Sequence, residues 1–236
     1  MCYLFNCREK YDSTFDNMKL VEYNKKNAHK SKYPPSYPNE MMVKIFSSNH
    51  YSNINIKPFH QNKVLEIGSF SGNNLRYFIE NGFKSYGVEI NKQLVDLGIE
   101  NLKRLKIKPP LIKIGTNTKI PFKSKFFDTL VSINTIHYNS GNDVQRALRE
   151  YKRVLKKDGV LYLETAGKNH FARGNRISVL SYKSKLKDFR KNHIFGYFDN
   201  KLHLKKILKS YFDKVEIFEK FEKTNVNLHF YIAVCK

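Results

Sequence analysis

The residue types best suited to ligand chemistry fall in one short segment, Val64-Leu65-Glu66-Ile67-Gly68-Ser69-Phe70-Ser71-Gly72-Asn73-Asn74. It reads as a strand, a tight loop and a helix start. Gly68 and Gly72 let the backbone pass close to a ligand at the strand's C-terminal end, where open α/β sheets bind ligands. About 20 residues on, Tyr86-Gly87-Val88-Glu89-Ile90 reads as a second strand ending in an acid, and a carboxylate so placed accepts both ribose hydroxyls of a nucleoside. Nicotinamide-binding domains use the same layout, but with a Gly-x-Gly-x-x-Gly loop that this chain lacks.

These groups need a scaffold, and the pattern from Lys63 onward supplies one. Short apolar runs at Val64–Ile67, Ser85–Glu89, Leu111–Ile114, Thr129–Ile133 and Val160–Thr165 alternate with amphipathic segments, which predicts parallel strands buried on both faces and joined by crossover helices. Residues Asn142 to Lys157 place Val144, Ala147, Leu148, Tyr151, Val154 and Leu155 on one helical face, with Asn142 and Gln145 as a capping-box variant and Gly159 suited to the C-terminal turn. Leu202 to Leu208 reads as a helix. Val215 to Phe218 and the alternating Leu228, Phe230, Ile232 and Val234 read as an antiparallel edge pair. Residues 1–56, rich in Tyr, Asn, Lys and Ser with prolines between Tyr33 and Pro38, form an extension with one or two short helices.

The ordered set of motifs resembles the class I S-adenosylmethionine-dependent methyltransferases, of the methyltransferase type 11 kind. Glu66, Gly68 and Gly72 match the family's acid and Gly-x-Gly-x-Gly loop, with Phe70 in place of the middle glycine. Gly115-Thr116-Asn117-Thr118-Lys119-Ile120-Pro121-Phe122 and Phe127-Asp128-Thr129-Leu130-Val131-Ser132 are similar to later family segments. So is Arg153-Val154-Leu155-Lys156-Lys157-Asp158-Gly159-Val160-Leu161, and order and spacing agree over residues 60–166. The resemblance implies an α/β fold, a Rossmann-like doubly wound seven-stranded sheet, mostly parallel with an antiparallel C-terminal edge pair. It divides the chain into an N-terminal extension (1–56), a possible acceptor-site cap, and a catalytic domain (57–236) with an insert at 168–200. It implies S-adenosylmethionine as cofactor, with Glu66 facing the amino end of its methionine, Gly68 and Gly72 lining it, and Glu89 and Ile90 at the ribose. Thr116 stands where relatives place an Asp against the adenine amine, and Asn117 can substitute, because an amide oxygen also accepts from that amine. Asn134 then lies beside the reactive methyl group.

Methyl transfer from a sulfonium is an in-line displacement, so alignment and exclusion of water do much of the work; a base is needed only if the acceptor must lose a proton. His137, in Asn134-Thr135-Ile136-His137-Tyr138, and His170, in Gly167-Lys168-Asn169-His170-Phe171, stand at the mouth and are the candidate bases; the alternative for each is a loop histidine bonded to backbone.

Composition bounds the rest. The chain has 236 residues, a net charge of +22 and three cysteines, Cys2, Cys7 and Cys235, without the spacing of a zinc site or disulfide framework. No stretch of roughly 18 uncharged apolar residues occurs, so the expectation is a soluble cytoplasmic protein with reduced thiols and no metal. The basic excess is mostly Lys spread along the chain among Asn, Ile, Phe and Tyr, which fits composition bias at least as well as a polyanion groove. There is no Asn-Pro-Pro-Tyr or Asp-Pro-Pro-Tyr after the fourth strand and no Pro-Cys nucleophile, which argues against amino-methylating DNA enzymes and C5-type RNA enzymes. Three uses stay open, in descending order: methylation of an oxygen or nitrogen on a small-molecule or glycan-linked acceptor, methylation of RNA or protein, and a non-catalytic polyanion-binding module on the same fold.

Overall fold

The computed structural model describes residues 36–236 apart from 49, 55, 57–61 and 189. Tyr33, Cys2 and Cys7 lie outside the described residues.

Seven strands form one sheet: β1 (Lys63–Ile67), β2 (Lys84–Glu89), β3 (Leu111–Ile114), β4 (Phe127–Ile133), β5 (Leu155–Ala166), and the later β9 (Val215–Lys223) and β10 (Asn227–Cys235). Their order is β3-β2-β1-β4-β5-β10-β9. The first five are parallel, and β10 runs antiparallel to both β5 and β9. The strand order reverses between β1 and β4, and the Gly68 loop and Asn134 sit at the C-terminal ends of these two strands. A doubly wound sheet opens its ligand crevice at that point.

Alternation along the strands divides the core into two layers. Leu65, Ile67, Leu130, Leu161 and Leu163 point to one face, where they meet Val144, Leu148 and Tyr151 of α4 (Asn142–Val154) and Leu204 and Leu208 of α5 (Lys201–Lys209). Val64, Val131, Val160 and Tyr162 point to the other, against Met42, Ile45 and Phe46 of α1 (Glu40–Ser47) and Tyr77 and Phe78 of α2 (Asn73–Glu80). Each fully buried side chain of this kind contributes about 1.5–3 kcal/mol, so the apolar runs commit the strands to the interior. Another helix, α3 (Lys92–Arg104), connects β2 to β3 and is capped by Asn91, whose side chain accepts from the Leu94 N–H.

Several expectations need correction. Among the described residues β3 is an edge strand rather than one buried on both faces: Leu111 and Ile114 are 53% and 55% exposed, and no described strand pairs beyond it. The long helix stops at Val154, and Leu155 turns extended and opens β5 directly, so Gly159 sits in a strand rather than a helix-terminating turn. Asn142 and Gln145 form no capping box. Gly141 is the N-cap at φ +52° with no side-chain cap, its N–H donating to Leu180 O, which makes Asn142 the first helical residue. The insert at 168–200, whose sequence carries no strand expectation either way, contains a separate antiparallel sheet of β6 (Arg173–Ser178), β7 (Ser181–Ser184) and β8 (Ile194–Phe195). Among the described residues, no helix is long and apolar enough to cross a membrane.

Candidate active site

The loop after β1 is held from three sides. From β2, Val88 O accepts from Gly68 N–H (2.8 Å) and Ser69 N–H (3.3 Å). The Glu89 carboxylate, 6% exposed, accepts from Phe70 N–H (3.0 Å) through one oxygen and from Ile90 N–H (2.7 Å) through the other. From α3, Asn101 donates to Ser71 O at 2.8 Å. The helix also approaches so closely at Gly98 that a Cβ there would lie 2.6 Å from Phe70 O. From the β4 end, Thr135 presses on Gly68, whose φ is +72°.

Phe70 has φ +39°, so the phenylalanine that replaces the family's middle glycine still takes the left-handed backbone. The Glu89 bond to its N–H and the contact with α3 hold it there against a cost of about 1–2 kcal/mol. The departure in sequence is therefore absorbed as backbone strain at Phe70.

Around this loop are buried polar atoms without partners: Glu66 Oε2, Ser69 Oγ and Asn134 Oδ1. Glu66 is 2% exposed, and its Oε1 accepts from Asn74 Nδ2 at 2.7 Å. Burial, with a smaller effect from the Glu89 charge, pushes its carboxyl up to about 8. Burial raises Glu89 as well, opposed by its two backbone donors. Asn134 sits at φ +54° just past β4, tied by its N–H to Glu164 O at 2.9 Å. Because each orphaned buried group costs about 1–3 kcal/mol, their convergence at the strand ends suits a polar ligand that would satisfy them.

The structure brings Glu66, Gly68, Gly72, Glu89, Ile90 and Asn134 to the C-terminal ends of β1, β2 and β4, where such a sheet opens its crevice, with Asn117 tied in through Thr135. Gly72, at φ +73°, opens α2. Asn117 reaches this group through Thr135: its Nδ2 donates to Thr135 O at 3.4 Å, while its Oδ1 accepts from the Tyr151 hydroxyl. Tyr151 also bonds Ser132 Oγ at 3.0 Å and is 0% exposed. Thr116 is exposed and forms a small turn, with backbone bonds to Lys119 and a 3.2 Å hydroxyl contact with Thr118.

His137 and His170 stand apart from the loop, on the side of the inserted sheet. His137 lies in a 3-10 turn (Ile136–Tyr138) among the rings of Tyr138, Phe195 and Tyr197, and its Nδ1 is buried without a partner. Burial, then the nearby His170, Arg190 and His193, hold its pKa down to about 3. His170 accepts from Ala172 N–H through Nδ1 and packs edge-on to Phe230; burial, His229 and Arg190 hold it at about 4. Both imidazoles are neutral at pH 7, able to orient a partner yet far from the pKa that suits a general base. Among the described residues, no group of three His, Cys, Asp or Glu could hold a metal ion.

Sequence reasoning missed Asn39, Asn74 and Tyr151, whose amides and hydroxyl support the crevice. Asn39 alone left a signal, as an N-cap residue before the apolar run Met41 to Phe46.

Residues 65–163 match a family model described as a methyltransferase domain. An uncharacterized methyltransferase of Anoxybacillus flavithermus is 30% identical over 106 residues, 44% of this chain and 48% of that protein. The uncharacterized methyltransferase YcgJ of Bacillus subtilis is 29% identical over 99 residues, 42% of this chain and 38% of that protein. The chain thus spans about half the length, or less, of these relatives. Among solved structures, a Burkholderia thailandensis 1,6-didemethyltoxoflavin N1-methyltransferase, with that compound and S-adenosylhomocysteine bound, has a TM-score of 0.65 at 11% identity; the similarity covers 100% of this chain and 92% of that one. A SAM-dependent methyltransferase of Methanosarcina mazei has a TM-score of 0.62 at 18% identity, covering 74% and 92%. At these identities the likeness is one of fold.

Proposed function

We propose, on the premise that this chain belongs to the class I S-adenosylmethionine-dependent methyltransferase family, that it transfers the methyl group of S-adenosylmethionine to an oxygen or nitrogen of a small-molecule or glycan-linked acceptor. The observation that carries this reading is the pairing of Glu89 with the left-handed Gly68–Gly72 loop, ringed by the unpartnered Glu66 Oε2, Ser69 Oγ and Asn134 Oδ1. These residues fit a nucleoside that carries an amine. Each Glu89 oxygen already accepts one backbone N–H and keeps a lone pair for a ribose hydroxyl. Glu66 Oε2, without a partner, accepts from the amine once the carboxyl gives up its proton, and Asn117, its amide held by Tyr151, stands on the adenine side.

Bound S-adenosylmethionine supplies an electrophilic methyl group on a sulfonium. The chain's part is to align and to exclude water. Asn134, fixed by its left-handed backbone and its bond to β5, lines the floor beside the acceptor. His137 and His170, kept neutral by burial, serve to orient the acceptor's hydroxyl or N–H, while residues 36–47 and the inserted sheet cover it.

A small acceptor is favoured over a polyanion because, of the five basic residues from Arg149 to Lys157, Arg153 and Lys156 are engaged internally. Arg153 binds Glu150 and the carbonyls of Ile120 and Phe122, and Lys156 binds Asp128 at 2.7 Å.

Calorimetric titration with S-adenosylmethionine, and separately with NADH, tests the reading. Micromolar binding of the methyl donor alone is expected, weakened by Glu89→Ala more than about tenfold, or 1.4 kcal/mol. Binding of NADH, or no binding of the methyl donor, overturns it.

A further inference from the structure

Helix α1 begins at a junction of buried polar groups. Asn39 accepts from Met42 N–H (2.9 Å) through Oδ1 and from Val43 N–H (3.0 Å) through its carbonyl, which makes it the N-cap. It is also a bridge between elements far apart in sequence. Its backbone N–H donates to Asn74 Oδ1 at 2.8 Å, and Asn74 Nδ2 donates to Glu66 Oε1 at 2.7 Å. Its Nδ2 donates to Glu164 Oε2 at 3.0 Å, an oxygen that also accepts from the Tyr162 hydroxyl at 3.2 Å. Beside it, Asn73 Nδ2 donates to Tyr37 O at 2.8 Å, a second tie between this segment and α2.

Two carboxyls, Glu66 at 2% and Glu164 at 3% exposure, thus share one hydrogen-bonded chain through two asparagines, the first at the end of β1 and the second at the end of β5. A helix needs only an acceptor at its N-cap. Beyond the cap, asparagine supplies the Nδ2 donor that reaches Glu164; the shorter serine side chain has no nitrogen at that position.

The geometry points to Asn39 as a positioning residue: filling the site at Glu66 Oε2 tightens the chain Glu66–Asn74–Asn39–Glu164, and so fixes α1 and the Glu164 carboxyl over the strand ends. A donor placed on Glu66 Oε2 favours the ionised carboxyl. The Asn74 N–H bond to Oε1 then becomes charge-assisted, a kind of bond shorter and roughly twice as strong as a neutral one. The polarised Asn74 amide in turn accepts more strongly from Asn39 N–H, because bonds in such a chain reinforce one another. The inference rests on the cofactor reading above and adds a coupling which that reading does not require.

Hydrogen exchange of residues 40–47, with and without saturating S-adenosylhomocysteine, tests it in the wild type and in Asn39→Ser, which keeps an N-cap acceptor but loses the bridge. The ligand should slow exchange of the wild-type α1 amides by about tenfold or more. In Asn39→Ser, exchange without ligand should stay within about threefold of wild type while most of the ligand-induced slowing disappears. Asn39→Asp, which keeps the cap and replaces the donor with an acceptor against Glu164, should behave in the same way. Equal ligand-induced slowing in wild type and Asn39→Ser overturns the inference, as does ligand binding that leaves wild-type α1 unchanged. Absence of any binding, read by calorimetry on the same samples, takes down the cofactor reading and the inference together.

Discussion

Replacing Gly68 with alanine introduces a single methyl group, and the structure gives its cost. At φ +72° an L-residue is strained by about 1–2 kcal/mol. The new Cβ would lie 2.1 Å from Thr135 Cγ2, where carbon pairs prefer about 3.5–4.0 Å. Thr135 has little room to yield, because its hydroxyl bonds Ser132 Oγ at 2.8 Å and its carbonyl accepts from Asn117. Overpacking of this kind costs about 1–3 kcal/mol, so the two effects together come to roughly 2–5 kcal/mol. For a chain of this size that lowers Tm by about 4–20 °C. Urea unfolding gives the energy directly, and the double variant Gly68→Ala/Thr135→Ser separates its parts. Serine keeps the hydroxyl and removes Cγ2, so the double variant should retain only the backbone cost of about 1–2 kcal/mol. A Gly68→Ala protein within about 1 kcal/mol of wild type, or one that Thr135→Ser does not improve, would falsify the account of the loop.

Two further outcomes follow from the crevice. The folded protein keeps a proton on Glu66 up to about pH 8, whereas the unfolded chain loses it above 4.5. Its contribution to stability is therefore full below the unfolded value and is lost as the pH rises toward 8, with a slope of at most about 1.4 kcal/mol per pH unit. Glu66→Gln, neutral throughout, should remove that slope; urea midpoints that fall in parallel for both proteins from pH 5 to 8 would show that Glu66 is not the group responsible. Tyr151→Phe leaves Asn117 Oδ1 and Ser132 Oγ short of a partner and should cost about 1–3 kcal/mol in urea unfolding; a neutral result would mean water replaces the hydroxyl in this 0%-exposed site.

The parts of the fold that were legible in the sequence are those where local pattern and burial agree. β1, β2, β4 and β5 are short apolar runs deep in the sheet, and the glycines of the first loop announce a backbone that other residues adopt only under strain. Glu89 was legible because its place at the end of β2 follows from spacing alone. The supporting groups were not. Asn39 meets Asn74 and Glu164 across 35 and 125 positions, and the Tyr151 hydroxyl meets Asn117 across 34, so no local window contains either partner. In α4 the same Tyr151 reads as one more apolar residue on the buried face. The inserted sheet was hidden for a different reason: β6, with Arg173, Asn175 and Arg176 and little burial, lacks the apolar alternation by which a strand is recognised.

The position of β10 bears on how the chain is made. Residues 227–235 lie between β5 and β9, and Cys235 is 0% exposed, so the strand nearest the end of this sequence is an interior one. β1 to β5 can pair in the order of synthesis, but the outer edge of β5, with Leu161, Tyr162 and Leu163, meets its partners Ala233, Val234 and Cys235 only after residues 167–235 have been added. At about 5–20 residues per second that edge stays bare for about 3.5–14 s. During translation this ribbon is open to pairing with a neighbouring nascent chain, and a chaperone would have it to shield.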